Sequence, residues 1–320
     1  MTQTPSETSF HPMNPPASPL PTGLYLVSTP IGNLGDITHR ALEVLEQVDH
    51  IAAEDTRVAR KLLNHFGIQQ KTMSFFRDNE DLRVPRIVEN LQKGARVALI
   101  SDAGTPAISD PGYLLVRAAV AAGVPVFPIP GASAVLAGLV GSGLPCDRFL
   151  FLGFLPARSS RRKSSLEPFK RLPVTLVFYE SPRRVVECLK DLQEVLGDRE
   201  ACVGRELTKR YEEFVRGRLS EIHADFAGRD AIKGEFVVMV EGTVEQGLQT
   251  ELGDDGEVEV SGEDSNACLN RARELLVEGG SLSKLAKKLS SQFDGLTRKD
   301  AYQLLMQLRE EEEGEDTEEE

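Results

Sequence analysis

Three stretches carry most of the chemistry open to this chain. The first, Ser101-Asp102-Ala103-Gly104-Thr105-Pro106-Ala107-Ile108-Ser109-Asp110-Pro111-Gly112, follows the apolar run Val97–Ile100. Most strand-to-helix connections need only about 2–6 residues, so a polar loop of this length and composition is specialised. Its glycines permit close backbone approach and its prolines fix the path, while Asp102 offers a carboxylate to hydroxyls or to a cation. A rigid, well-capped turn that holds no ligand has the same composition. The second stretch, Glu54-Asp55-Thr56-Arg57, directly follows His50-Ile51-Ala52-Ala53, and the third, Tyr179-Glu180-Ser181-Pro182-Arg183-Arg184, also ends an apolar run. Charged groups at a strand end are costly to bury, so they face solvent, bridge to one another or act on a ligand.

The elements that must position these residues alternate regularly. Leu24–Ser28, His50–Ala53, Val97–Ile100 and Val124–Pro128 read as strands, with helices over 38–48, 58–66, 82–93, 113–122 and 135–140. Buried apolar strands alternating with helices predict a parallel sheet, whose ligand crevice lies beyond the carboxyl ends of the strands. Thr29-Pro30-Ile31-Gly32-Asn33-Leu34 and Pro130-Gly131-Ala132-Ser133-Ala134 join Ser101–Gly112 on that edge. A second set follows, with strands at 149–154, 174–178, 201–204 and 235–241 and helices at 182–196 and 220–228. The expected fold class is therefore α/β, with two α/β lobes and a cleft between them. The division reads as a leader over 1–22, lobes over 23–130 and 131–243, an acidic linker over 244–265, a basic helical module over 266–309 and an acidic tail over 310–320.

The net charge of −13 does not exclude a nucleic-acid partner, because of where the charge sits. Residues 244–265 carry eight acids and no base, and 310–320 carry nine acids and no base. Both segments read as solvated and disordered. Residues 266–309 hold eight Lys/Arg against four Asp/Glu. Lys287 and Lys288 lie on the basic face of one of three expected short helices. Pro156–Arg171 holds Arg158, Arg161, Arg162 and Lys163, and reads as a mobile basic segment suited to phosphates, or simply as a solvated loop. The four cysteines are scattered without a CxxC pair, which suits a reducing cytoplasm and gives zinc no ligand set. No run approaches the roughly 20 apolar residues of a membrane span. GxxxxGK[ST], GxGxxG after the first strand, HExxH and GxSxG are all absent from the sequence. What remains suits an adenosine-containing cofactor held by backbone groups, and no metal is expected.

Taken together, Thr29–Leu34, Glu54–Arg57, Ser101–Gly112, Pro130–Ala134 and Tyr179–Pro182 resemble the tetrapyrrole-methylase (class III) S-adenosylmethionine-dependent methyltransferases. The resemblance covers about Gly23 to Gly242. It is strongest to the bacterial members that 2′-O-methylate a cytidine ribose of small-subunit (16S) ribosomal RNA in the 30S subunit. It implies a homodimer, with S-adenosylmethionine meeting Pro30, Ser101, Asp102, Ala103, Gly104, Thr105, Ile108, Ser133, Ala134, Tyr179 and Leu207. Glu54, Asp55 and Arg57, with Glu180 and Arg183 behind them, are the catalytic candidates, interlobe salt bridging being their other reading. Arg158, Arg161, Arg162, Lys163, Lys287 and Lys288 would meet RNA. Two other readings share the scaffold: a C-methyltransferase acting on a corrin or porphyrin precursor, and a non-catalytic RNA-binding assembly factor.

Overall fold

The computed structural model describes residues 20–243, 249–252, 258–261, 265–293 and 295–318. The leader expected over 1–22 therefore lies almost wholly outside the described residues. In the first lobe, β1 (Gly23–Val27), α1 (His39–Gln47), β2 (His50–Ala53), α2 (Thr56–His65) and β3 (Thr72–Ser74) follow in order. After them come α3 (Glu80–Gln92), β4 (Arg96–Ile100), α4 (Tyr113–Ala121) and β5 (Val126–Ile129), and α5 (Ala134–Ser142) then leads into the second lobe. The strands pair in the order β3-β2-β4-β1-β5, all parallel. From β1 the chain crosses towards β2, whereas from β4 it crosses the other way towards β5. The switch point thus falls between β1 and β4, where open α/β sheets place their ligands. The strands are short and almost wholly apolar because helices cover both faces, with Tyr25, Val27, Ala98 and Ile100 buried on one side and Leu24, Val97 and Leu99 on the other. Of the strands in this first sheet, only β3 has no counterpart in the sequence reading. Its three residues, Thr-Met-Ser, are too few to show a period.

The second lobe runs β6 (Phe149–Phe154), α6 (Ser159–Leu166), β7 (Thr175–Glu180), α7 (Val185–Leu196), β8 (Glu200–Arg205), β9 (Glu213–Arg218), α8 (Leu219–Ala227) and β10 (Phe236–Val240). Its sheet has the order β6-β7-β10-β8-β9, parallel between β6 and β7 and antiparallel elsewhere. The edge strand β9, Glu-Phe-Val-Arg-Gly-Arg, escapes a sequence reading because it is polar and only half-buried. Helix α5 packs on this sheet, its Val135 and Leu139 against Val177, Cys202, Val237 and Met239. A β-carbon at Gly138 would stand 3.1 Å from both Met239 Sδ and Val237 Cγ1. Close packing on the sheet therefore explains the small residues of α5.

Pro156–Arg171 is a correction to the sequence reading. It folds as α6 and a following 3-10 turn rather than as a loop, and Arg162 is among the largest fully buried side chains. Its Nε donates to Asp191 Oδ2 at 2.7 Å, and Nη1 reaches the Pro156 and Ala157 carbonyl oxygens at 3.3 Å. Its Nη2 also stands 2.6 Å from Asp191 Oδ2, and a guanidinium can be buried when it is paired with a carboxylate in this way.

One compact unit comprises the described residues through Lys170 together with Val174–Glu241, and so holds both lobes. The other comprises Arg171–Pro173 and the residues from Gly242 onward. In this second unit β11 (Gln249–Leu252) and β12 (Val258–Ser261) form an antiparallel pair. They fall within the acidic segment expected to be a disordered linker, where alternating Val258 and Val260 supply β-propensity. Helices α9 (Ser265–Glu278), α10 (Leu282–Ser290) and α11 (Arg298–Glu318) follow. Residues from Cys268 through Leu308 give this unit an apolar core of its own. Helix α11 continues into the acidic stretch expected to be a disordered tail, because glutamate is a good helix former and the helix is already nucleated on that core. No helix among the described residues is long and apolar enough to cross a membrane.

Candidate active site

Three loops leave the carboxyl edge of the first sheet and are tied to one another. Thr29 N–H donates to the Gly104 carbonyl at 2.8 Å, and Gly104 N–H returns the bond to Thr29 O at 3.0 Å. The Ser28 and Thr105 hydroxyls lie 2.9 Å apart, and Thr105 Oγ1 also reaches the Ala132 carbonyl at 3.4 Å. At its far end the long loop is anchored by Gly112 N–H, which donates to the buried Glu80 carboxylate at 2.9 Å. Gly104 sits at φ 78°, a conformation that lets its backbone turn back against Thr29.

Four non-glycine residues have positive φ among the described residues: Ala107 at 68°, Ser109 at 66°, Glu206 at 48° and Thr208 at 66°. Two lie in the Ser101–Gly112 loop and two in the β8–β9 connection. Each such conformation costs on the order of 1–3 kcal/mol, and strain of this kind concentrates at functional sites. Ile108, left 45% exposed, lies between the two strained residues of one loop, and the buried Leu207 between those of the other.

Between these loops lie two cavities. The first has a volume of about 340 Å³ and is bounded by Ala103, Gly104, Thr105, Ile108, Ser109 and Asp110 from the long loop. Ile31, Ser133 and Ala134 close one side; Phe154, Tyr179 to Pro182, Leu207 and Gly234 to Val237 close the other. Tyr179 is held edge-on by Phe151, with ring centroids 4.9 Å apart, and burial pushes its phenol up to about 12. Burial likewise raises the Asp110 carboxyl, with the neighbouring Asp102 charge acting the same way. The second cavity, of about 300 Å³, is bounded by Thr29 to Gly32, Leu34, Val58, Ala59, Lys61 and Leu62 of α2, Ile100 to Ala103, Lys209 and Glu235. Ile31, Ala103 and Glu235 belong to both walls.

The residues singled out in the sequence separate accordingly. Ala103, Gly104, Thr105, Ile108, Ser133, Ala134, Tyr179 and Leu207 line the first cavity. Pro30, Ser101 and Asp102 line the second, which Ala103 shares. The Ser101 hydroxyl is spent on the Ala103 carbonyl at 3.2 Å, and Asp102 Oδ1 accepts from Asp55 N–H at 3.0 Å. Burial raises the carboxyls of Asp102 and of Glu54, the latter further raised by the charges of Asp110 and Asp102.

Glu54, Asp55 and Arg57 line neither cavity. Asp55 caps α2, accepting from Arg57 N–H at 2.8 Å, and its ion pair with the exposed Arg57 holds the carboxyl down at about 2. Glu180 lines the first cavity but is locked by Arg184, at 2.7 and 2.9 Å, while Arg183 points to solvent. The cation that serves Glu180 is thus Arg184. Arg158 and Arg161 are exposed on α6, whereas Lys163 pairs with Asp191 and Glu194. Lys287 is exposed on α10, and Lys288 pairs with Glu278 at 2.6 Å. Sequence reasoning passed over Asp110, Phe154 and Glu235 as wall residues. Asp110 stands inside the quoted loop, but nothing in the order of residues says which of its two aspartates faces the cavity.

A model of the tetrapyrrole (corrin/porphyrin) methylases matches residues 23–223. The chain belongs to that family. It is therefore a methyltransferase whose methyl donor is S-adenosylmethionine. Among curated proteins it is 50% identical over 224 residues to the ribosomal RNA small subunit methyltransferase I of Halalkalibacterium halodurans, covering 70% of this chain and 77% of that protein. The protein of the same name from Micromonospora olivasterospora is 42% identical over 280 residues, covering 88% and 85%. Among solved structures, the methyltransferase CobJ is 20% identical, with a TM-score of 0.53 over 72% of this chain and 95% of that one. A diphthine synthase is 18% identical, with a TM-score of 0.54 over 68% and 89%. These two show the shared fold alone.

The first cavity fits the donor. It offers apolar surface from Ile31, Ile108, Leu207 and Val237 for a purine, backbone groups on Ala103 to Thr105, and the Asp110 carboxylate for a cationic end.

Proposed function

We propose that this protein transfers the methyl group of S-adenosylmethionine to the 2′-hydroxyl of a cytidine ribose in small-subunit ribosomal RNA, acting on the 30S subunit in the bacterial cytoplasm as a homodimer. The observation that carries the reading is the 50% identity, over three quarters of the relative's length, to a protein named for small-subunit ribosomal RNA methylation.

Once bound, the donor would supply an electrophilic methyl on a sulfonium, and a carboxylate of this chain would take the proton that the acceptor hydroxyl gives up. The residues of this chain have to hold the donor and bring the acceptor oxygen into line with it. Ala103, Gly104, Thr105, Ile108, Ser133, Ala134, Tyr179 and Leu207 hold the donor in this reading. Asp102 and Glu54, raised by burial, stand nearby as proton acceptors. Exposed Arg158 and Arg161 on α6 and Lys287 on α10 meet RNA phosphates. The dimer is supported by apolar side chains left in water on α4 and α5: Tyr113 is 64% exposed, Val120 62% and Val140 74%.

The test supplies labelled S-adenosylmethionine with three acceptors side by side: 30S subunits lacking the modification, free small-subunit RNA and a tetrapyrrole precursor. Label in subunits or RNA is the expected result. Label in the tetrapyrrole alone refutes the substrate class while leaving the donor intact.

A further inference from the structure

We infer that the second cavity receives the acceptor nucleotide, with its base against the aliphatic wall formed by Pro30, Leu34, Val58 and Leu62 and its ribose at the Ala103 partition. The inference rests on the proposed function and adds the acceptor's position to it.

Four observations lead there. First, the cavity is large enough, at about 300 Å³, within the usual range for small-molecule sites. It also abuts the donor cavity through Ile31, Ala103 and Glu235. An acceptor placed on one side of so thin a partition and a donor on the other meet at its rim, as in-line transfer requires.

Second, its apolar wall is left partly in water. Leu34 is 40% exposed and Val58 37% exposed, though both face a concave site rather than a convex surface. Single-stranded RNA is recognised through splayed-out bases whose flat faces cover apolar or planar side chains, and such a base would bury this surface.

Third, the polar groups match a cytidine nucleotide. Lys61 lies on the exposed side of α2 at the wall and suits a phosphate. Glu235 offers a carboxylate of the kind that accepts from the exocyclic amino group of cytosine, which leaves Asp102 to the ribose hydroxyl.

Fourth, the loop that closes the cavity is held there at a cost. Thr208, a β-branched residue, sits at φ 66°. That turn carries Lys209 across Gly32, where a β-carbon would come within 2.3 Å of Lys209 Cγ. Lys209 Nζ is then fixed by Glu206 at 2.8 Å and Glu235 at 3.0 Å. Strain aimed at a wall residue in this way is expected where the wall serves a ligand.

The test uses the full-length protein, Val58→Trp to fill the cavity, and Lys61→Glu to reverse the charge at its edge. S-adenosylmethionine affinity is measured by calorimetry, and the KM for 30S subunits lacking the modification by methyl transfer. Both variants are expected to keep donor affinity within twofold of wild type and to raise the subunit KM tenfold or more. An unchanged KM in a folded Val58→Trp protein overturns the inference. A tenfold loss of donor affinity in that variant also overturns it, since the cavity would then belong to the donor. Should Val58→Trp unfold, Lys61→Glu decides by the same KM criterion. A wild-type protein that transfers nothing to subunits refutes the proposed function first, and is distinguishable from a wild type and variant that transfer equally well.

Discussion

Arg162 separates a phosphate-binding role from a structural one. The Arg162→Ala substitution removes a guanidinium that is fully buried and paired with Asp191, itself almost buried, at 2.6 Å. Burial opposes ionisation of Asp191, but hydrogen bonds from Ser159 and Arg162 hold its carboxyl below the usual range. Removing one partner of a buried pair strands the other charge and costs about 3–5 kcal/mol. Here Ser159 Oγ at 2.9 Å and Lys163 Nζ at 3.4 Å stay with Asp191, which places the loss at the lower end, about 3 kcal/mol. For a unit of this size that is a fall of about 6–12 °C in Tm. Arg161→Ala, one position earlier and exposed, should stay within about 0.5 kcal/mol of wild type. The assay is thermal unfolding of both variants beside filter binding to 30S subunits. Arg162→Ala should lose stability, and Arg161→Ala should lose RNA affinity in a salt-dependent way. An Arg162→Ala protein as stable as wild type but defective in RNA binding would refute the buried-pair account. The paired replacement Arg162→Met with Asp191→Leu should recover most of the loss, because a hydrophobic substitute for a buried ion pair is often neutral.

Other consequences are simpler to check. Hydrogen bonding from Arg96 holds the Asp49 carboxyl down at about 2. Because the folded value lies below the unfolded one, its contribution is full above the ordinary carboxylate range and disappears as pH falls from about 4 to about 2. Asp49→Asn should flatten the acid limb of a stability–pH profile in that window. Burial raises the Asp110 carboxyl on the wall of the first cavity, so binding of the cationic donor there should release protons on the acid side, whereas S-adenosylhomocysteine, which lacks the sulfonium charge, should release fewer. Calorimetry in two buffers of different ionisation enthalpy measures this, and equal release would contradict it. Of the four cysteines only Cys146 is exposed, and burial pushes Cys202 and Cys268 up to about 11. One thiol should therefore react with a disulfide reagent in the native protein and four after denaturation.

The parts of this architecture that declare themselves in the sequence are those with strong local signals. Buried apolar strands such as Arg96–Ile100 and capped helices such as α1, whose N-cap Thr38 accepts from Ala41 N–H at 3.1 Å, are legible because their cause is local. The Ser101–Gly112 loop is legible for the same reason, through its glycines and prolines. Charge is less informative about place. Arg162 and Arg161 are adjacent and chemically identical, yet one is buried against Asp191, 29 residues away, and the other faces water. Only the packing of α6 on α7 decides between them. Glu180 ends β7 and is paired with Arg184, across the turn that leads into α7, while its neighbour Arg183 is exposed; residue order alone does not say which of the two adjacent arginines the turn brings back. The two-cavity arrangement depends on the β8–β9 loop reaching over Gly32, a contact between residues far apart in the chain.

The central claim, transfer to a ribose oxygen, is tested most directly by alkaline hydrolysis of RNA labelled by this protein from methyl-labelled S-adenosylmethionine. Alkali cleaves RNA through the 2′-hydroxyl, so a methyl on that oxygen protects the adjoining phosphodiester. Label in an alkali-resistant dinucleotide with cytidine at its 5′ position is the predicted result. Label released in mononucleotides would place the methyl on a base and contradict the account.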